Sequence, residues 1–314
     1  MKIFGLEEMK LSRLLFVLIP IALLLTVPLY STGYILAFSI IIFTYIGLAV
    51  SWNILSGYTG YVSLGHGAFF GLGAYTNAIL MNKYGITPYF GMIIGGIMAL
   101  IAAIALGSFS LRVRGAYFAI VTLALSEILR TFFINLAWLT GGAEGITVTP
   151  LHNLKIGFYL MFIITALAFL TSYKIVNSKF GLSLIAIREN EDAAESLGLN
   201  TFRYKLMAFA TSAFFPGVIG GFFVWYNSYI DPTSVFTLII SFNMVIYAFF
   251  GGAGTLLGPV VGATTLGLIS ETLWAKFPYF HLILYGLILI FMVLFMPGGL
   301  VRKLGKIYKR AIMV

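Results

Sequence analysis

Residues 177–205 read NSKFGLSLIAIRENEDAAESLGLNTFRYK, the one long polar interruption in an otherwise apolar chain. Arg188, Glu189, Asn190, Glu191, Asp192 and Glu195 crowd together here. The segments on either side are built of Leu, Ile, Phe and Ala and have the length of membrane spans. Such a loop faces water and is positioned to meet a partner, while the rest of the chain holds it in place.

Working outward, 61% of the 314 residues are hydrophobic, only 9% are charged, and the mean hydropathy is +1.03. A helix needs roughly 20 apolar residues to cross the hydrocarbon core, and runs of about that length recur along the chain. The alternating pattern of barrel strands is absent, so backbone polar groups in lipid must be satisfied within helices. The expected fold is an all-α polytopic membrane protein, a single transmembrane domain over residues 1–314 with 177–205 as a loop within it. That leaves no room for a soluble catalytic domain and argues against an enzyme. The net charge of +9 does not imply nucleic acid, because the basic residues fall at the ends of apolar runs. With zero cysteines there is no thiolate site, and His66, His152 and His281 are too scattered to form a ligand cluster, so neither metal nor cofactor is expected.

Ten spans are expected. They cover residues 14–30, about 34–55, a third after a glycine-rich break, 88–109, a fifth from Tyr117, 156–173, 206–226, an eighth ending near Phe249, 260–273 and 281–295. The first reads as a retained helix and not a signal peptide, since no small-x-small cleavage site closes it. With the N-terminus inside, fifteen of the nineteen lysines and arginines face the cytoplasm, including both ends of the chain and the 177–205 loop. Lys83, Lys155 and Lys276 fall outside and Arg130 lies within a span. The location expected is the inner, cytoplasmic membrane of the cell.

Two stretches break the apolar pattern, SGYTGYVSLGHGAFFGLGAY at 56–75 and FFGGAGTLLGP at 249–259. Non-helical backbone at membrane depth is tolerated only where it is buried in protein or lines a watery cavity. This makes Gly57, Tyr58, Thr59, Gly60, Ser63, Gly65, His66, Gly67, Gly251, Gly252 and Gly254 candidates for lining a translocation path. The plainer reading is close helix packing through GxxxG pairs such as Gly91 with Gly95 and Gly217 with Gly221. The spacing Gly65-x-Gly67-x-x-x-Gly71 is one residue too long for a dinucleotide fingerprint.

Glu127 and Arg130 lie at i and i+3 within the fifth span and share one helix face. An ion pair facing the bundle interior is the preferred reading; a proton relay or substrate counter-ion is the alternative. In the polar loop, residues 183–197 can be written as one short helix that Gly198 ends.

Taken together, GLSLIAIRENEDAAESLGLNTFRYKLMAFATSAFFPGVIGG, LSGYTGYVSLGHGAFFGLGAYT, RVRGAYFAIVTLALSEILR, LTGGAEGI and NMVIYAFFGGAGTLLGPVVGA make the chain resemble the permease subunits of branched-chain amino acid ABC importers of the LivM type. The likeness covers about residues 51–299 and departs from the family at Pro216, where a small residue is expected and a proline would kink the seventh span. The resemblance implies that Ala193, Ala194, Glu195 and Gly198 belong to a cytoplasmic coupling loop seated on an ATPase subunit. Arg188, Glu189, Asn190 and Glu191 complete the set within that loop. It further implies a second homologous permease, two ABC ATPase subunits, an extracytoplasmic substrate-binding protein and an architecture similar to the vitamin B12 importer permease. No G-x-x-x-x-G-K-[ST] run occurs in the chain, so ATP energy would come from another polypeptide. The cargo implied is a branched-chain or other hydrophobic amino acid. The alternatives are urea or a short amide carried by the same family, or an ion-coupled secondary transporter acting alone with Glu127 as its coupling carboxylate.

Overall fold

The computed structural model describes residues 24–151, 153–277, 279, 280, 283, 286, 287, 290 and 299–301. The expected first span (14–30) falls largely outside them and the tenth (281–295) mostly so, as do the basic residues at 2, 10 and 13 and in the tail from 302 onward.

Residues 24–30 are helical, and from Gly33 to Lys276 twelve α-helices follow one another. They are α1 (Gly33–Trp52), α2 (His66–Tyr84), α3 (Pro88–Ser110), α4 (Ala116–Asn135), α5 (Ala137–Thr140), α6 (Leu154–Val176), α7 (Lys179–Glu189), α8 (Glu191–Ser196), α9 (Thr201–Asn227), α10 (Pro232–Val235), α11 (Leu238–Gly251) and α12 (Gly258–Lys276). Among the described residues, six stretches are long and apolar enough to cross a membrane: Gly33–Gly57, Pro88–Ser110, Ala116–Asn135, Leu154–Val176, Thr201–Asn227 and Pro232–Gly251. These match the expected second and the fourth to eighth spans. The expected third and ninth are α2 and α12, each 19 residues, and neither is among the six. The chain is an all-helical, multi-pass membrane protein; a count of ten is not reached among the described residues.

The two ends of the bundle have different characters. At one end lie the turn after α1, the α3–α4 connector, α7, α8 and the turn before α12. At the other, the strand β1 (Ile146–Thr147) pairs antiparallel with β2 (Tyr229–Ile230), Ile146 opposite Ile230. Lys83 there donates to the Trp138 carbonyl at 3.1 Å. Basic residues 112, 114, 174, 179, 188, 203 and 205 all gather at the first end.

The central helix is α9. Its most apolar stretch is 78% buried, against 17% for α4 at the rim, and it packs on α1, α2 and α3. Glycine makes the packing close, because a side chain at Gly217 would meet the backbone of Gly95 and Gly96 on α3, and one at Gly221 would meet Met92. The expected kink at Pro216 does not break α9, which runs continuously through it. Proline has no N–H to offer the carbonyl four residues back. That carbonyl, Ser212 O, instead accepts from Ser51 Oγ of α1 at 2.6 Å. A neighbouring serine replaces the missing donor, as membrane helices that tolerate proline require.

Candidate functional site

The first glycine-rich stretch starts as the end of a helix. After Trp52 the chain widens into a π-helical turn, Asn53–Gly57, and α2 begins at His66. The intervening backbone is irregular, yet Ser56, Tyr58, Thr59 and Ser63 are buried and His66 is wholly so. Its depth follows from α9: Tyr61 stands beside Lys205, near the start of that helix, whereas His66 reaches Ser212, roughly 16 Å along it at 1.5 Å per residue. The break thus climbs from the loop end to about the middle of the bundle.

Burial at that depth requires every polar group to find a protein partner. His66 sits between Ser63 Oγ (2.9 Å) and Ser212 Oγ (3.0 Å). The Ser63 amide donates to Ser56 Oγ, the Leu64 amide to Thr122 Oγ1 of α4, and the Gly67 amide to Ser241 Oγ of α11. Trp52 Nε1 donates to the Ser63 carbonyl, and the Tyr58 hydroxyl shares a hydrogen with Ser172 of α6. Apart from Gly60, which is exposed, the candidates from Gly57 to Gly67 are therefore interior residues, and the stretch joins α1, α4, α6, α9 and α11.

The two breaks touch one another. The Asn53 side chain receives the Gly254 amide on Oδ1 (2.8 Å) and donates through Nδ2 to the Thr255 carbonyl (3.0 Å). A side chain at Gly57 would run into the Asn53 amide and close this bridge. Arg188 of α7 joins the same spot. Its Nη1 donates to the Gly57 carbonyl at 2.8 Å and occupies the space that a side chain on Gly254 would need, at a residue whose φ of +77° already favours glycine. One guanidinium thus bridges the polar loop to both glycine-rich breaks.

The loop is two helices and not the single helix expected over 183–197. Asn190, extended at φ −161° and ψ 108°, ends α7 and caps α8, its side chain accepting from the Ala193 amide at 3.0 Å. At the far end of α8, the Leu199 amide donates to the Ala194 carbonyl and the Gly198 amide to that of Glu195, with Gly198 at φ +86°. This is a Schellman closure, in which glycine supplies the left-handed residue. Glu189, Ala193, Glu195 and Gly198 face outward, Ala194 packs inward, and Leu197 stands 86% exposed at the tip.

Behind α8 lies a charge cluster. Glu191 Oε1 accepts from the Lys205 ammonium at 2.5 Å and its Oε2 from the Tyr61 hydroxyl at 2.5 Å. The Lys205 and Glu191 side chains are 4% and 11% exposed. Lys205 also lies 4.4 Å from the centre of the Tyr61 ring, a cation–π contact. Burial pushes the Glu191 carboxyl up, but the Lys205 and Tyr61 hydrogen bonds outweigh it and hold it below the usual carboxylate range. Arg114 of the α3–α4 connector meets Asp192 at 2.6 Å and lies 3.8 Å from both Glu191 and Glu195. That hydrogen bond to Asp192 raises the Arg114 pKa.

Glu127 and Arg130 do pair, at 2.9 Å, but not inside the bundle. Their side chains are 35% and 38% exposed on the flank of α4, because Phe118, Thr122 and Ser126 occupy the buried face of that helix.

Residues 34–293 match the family described as branched-chain amino acid transport system, permease component. The chain belongs to that family. The high-affinity branched-chain amino acid transport system permease protein LivM of Escherichia coli K12 is 31% identical over 287 residues, covering 82% of this chain and 67% of that protein. The LivM protein of Salmonella typhimurium is 30% identical with the same coverage. A probable branched-chain amino acid transport permease protein LivH of Methanocaldococcus jannaschii is 25% identical over 240 residues, 68% of this chain and 72% of that one. No solved structure matches the chain.

For this permease family member, sequence alone does not reveal Asn53, Tyr61, Arg114 and Lys205 as parts of the site. Arg114 and Lys205 stand out there only as topology markers. The available signal is that Lys205 stands at the entry to an apolar helix, where a buried ammonium needs a carboxylate. Asn53 carries no such signal, since its partners lie some two hundred positions away.

Proposed function

We propose that this chain is the permease subunit of an ABC importer for branched-chain or other hydrophobic amino acids, and that α7–α8 is the helix pair seated on an ATPase subunit. The observation that carries the proposal is Arg188, which ties the exposed helix pair to the point where both glycine-rich breaks meet. A partner that moves α7–α8 thereby pulls on non-helical backbone reaching the middle of the bundle. Rearranging a few hydrogen bonds there costs less than distorting a continuous helix. The exposed Leu197 and the outward Glu189, Ala193 and Glu195 form the contact surface, an apolar knob rimmed by polar groups.

In this mechanism ATP-driven closure of two ATPase subunits displaces the helix pair. Residues 57–67 and 251–254 then shift against each other, and a central path alternates between the two sides. The Glu191–Lys205–Tyr61 cluster keeps α8 attached to α9, so the pull also reaches the central helix. The gathering of basic residues at the loop end supports a cytoplasmic location for that end. An extracytoplasmic binding protein then delivers cargo to the end that carries β1 and β2.

The test is co-expression with an ABC ATPase and a second permease, followed by uptake in proteoliposomes. Co-purification of the ATPase and leucine, isoleucine or valine uptake that requires ATP is the expected result. Uptake by the isolated chain that follows a proton or sodium gradient would replace this reading with secondary transport. ATP-driven uptake of urea and not of amino acids would keep the mechanism and change the cargo.

A further inference from the structure

A half-open cavity of about 200 Å³ lies between α1, α2, α9, α10 and α11, and none of the path candidates lines it. Its depth follows from helix contacts. Ser51 of α1 meets Ser212 of α9 and Gly47 lies against Ile219, so Leu48, which lines the cavity, stands near the middle of the 27-residue α9. Phe223, also in the lining, is further along α9 toward β2, and Ser234 is exposed on α10 just after that strand. The cavity thus runs from mid-bundle toward the end that carries the strands, where cargo enters in the permease reading.

The lining combines two chemistries. Leu48, Phe70, Phe223 and Met244 give it apolar walls, with Phe70 and Phe223 edge to face at 5.1 Å. Beside them stands Asn243 of α11, whose side-chain amide makes no hydrogen bond among the described residues. An amide inside a membrane bundle ordinarily bonds across to another helix, so this one is free for a molecule that enters. Thr44 of α1 donates to the Ile40 carbonyl of its own helix at 2.9 Å, which leaves its oxygen able to accept a further hydrogen. No Asp, Glu, His, Lys or Arg lines the cavity, and a ligand of net charge would find no counter-charge at this depth. A lipid tail would leave the Asn243 amide unpaired. The volume is below the roughly 300–1,000 Å³ of pockets that enclose drug-sized ligands and well above the roughly 30 Å³ that one water takes. A small molecule of zero net charge, polar at one end and aliphatic at the other, meets all of these conditions. We propose that the cavity is an intramembrane cargo site for one neutral aliphatic amino acid. Asn243 donates to its carboxylate, Thr44 accepts from its ammonium, and Phe70, Phe223 and Met244 receive its side chain. The inference rests on the permease reading above and adds a stopping place within the bundle, with the residues that select the side chain.

The test uses the complex with an ABC ATPase and a second permease in proteoliposomes, supplied with ATP, the binding protein and a photoactivatable diazirine analogue of leucine. After illumination, peptide mass spectrometry locates the adducts. The expected result is labelling of the cavity residues of α1 and α11, suppressed severalfold by excess leucine and not by excess urea. Asn243→Leu, similar in size but without the amide, is expected to lower both that labelling and leucine uptake severalfold in a complex that still assembles. If that variant fails to assemble, labelling of the wild-type complex decides alone. Labelling confined to other parts of the bundle overturns the proposal, as does wild-type leucine uptake by Asn243→Leu. Cavity labelling that excess leucine does not displace also overturns it, in favour of a cleft filled by lipid. Absence of any ATP-dependent amino-acid uptake by the wild-type complex counts against the permease reading instead, and is seen before any adduct is mapped.

Discussion

Ser51 and Pro216 are a matched pair that neither residue announces alone. Proline leaves Ser212 O without its helical donor, and Ser51 Oγ fills the gap from another helix. Ser51→Ala therefore strands a buried carbonyl, at a cost of about 1–3 kcal/mol. Pro216→Ala restores a donor within α9, so the double variant is expected to recover much of the loss. Thermal unfolding of the detergent-solubilised protein measures this, and two losses that simply add would count against the pairing. At Glu191 a stronger effect is expected. Lys205→Met takes the nearest cation from a buried carboxylate, leaving it the Tyr61 hydroxyl and Arg114 at 3.8 Å, so the cost is at most about 3–5 kcal/mol, and Glu191→Gln in the same chain returns part of it. The pH dependence has a fixed sign. Because the folded Glu191 carboxyl is held below its usual range, its stabilisation is complete above the unfolded value, about 4.3, and is lost as pH falls through the folded one. Glu191→Gln should flatten that acid limb of the stability profile, and an unchanged limb would show that the cluster contributes nothing.

Among the elements, α8 is short enough that its ends decide its direction. A Cβ placed on Gly198, at φ +86°, would meet nothing within 4 Å, so a substitution there meets only backbone strain. Gly198→Val is expected to cost roughly 1–2 kcal/mol locally and to re-aim the chain leaving α8, leaving the bundle folded while ATPase binding weakens. Pull-down against the ATPase reads this directly; wild-type affinity would return the loop to a solvated connector. Much of this element is legible in the sequence: its polarity, its place between spans and the glycine that ends it. The break at Asn190 is harder to see, although Asn followed by Glu191 and Asp192 is itself a helix-start signal, because the helix-forming residues on both sides mask it. The Glu127–Arg130 pairing is legible from its spacing, whereas its place on the flank is not, since periodicity within one helix does not say which neighbours cover it.

For the whole molecule, apolar run length locates the six spanning stretches to within a few residues, because crossing a bilayer constrains length more tightly than any local motif. What run length does not reveal is that the polar loop and both breaks converge, as those contacts join residues far apart in the chain. The orientation proposed here makes the Ser196→Cys variant reactive to membrane-impermeant thiol reagents only after cells are opened, and Thr149→Cys reactive in intact cells. The reverse pattern would invert the topology. The central claim, that Arg188 carries motion from the ATPase contact to the breaks, is tested most directly by measuring ATP hydrolysis and leucine uptake together in proteoliposomes of the Arg188→Gln complex. The expected result is a complex that assembles and hydrolyses ATP while uptake falls at least about tenfold, the kinetic equivalent of roughly 1.4 kcal/mol of lost coupling. Uptake and hydrolysis in the wild-type ratio would contradict it.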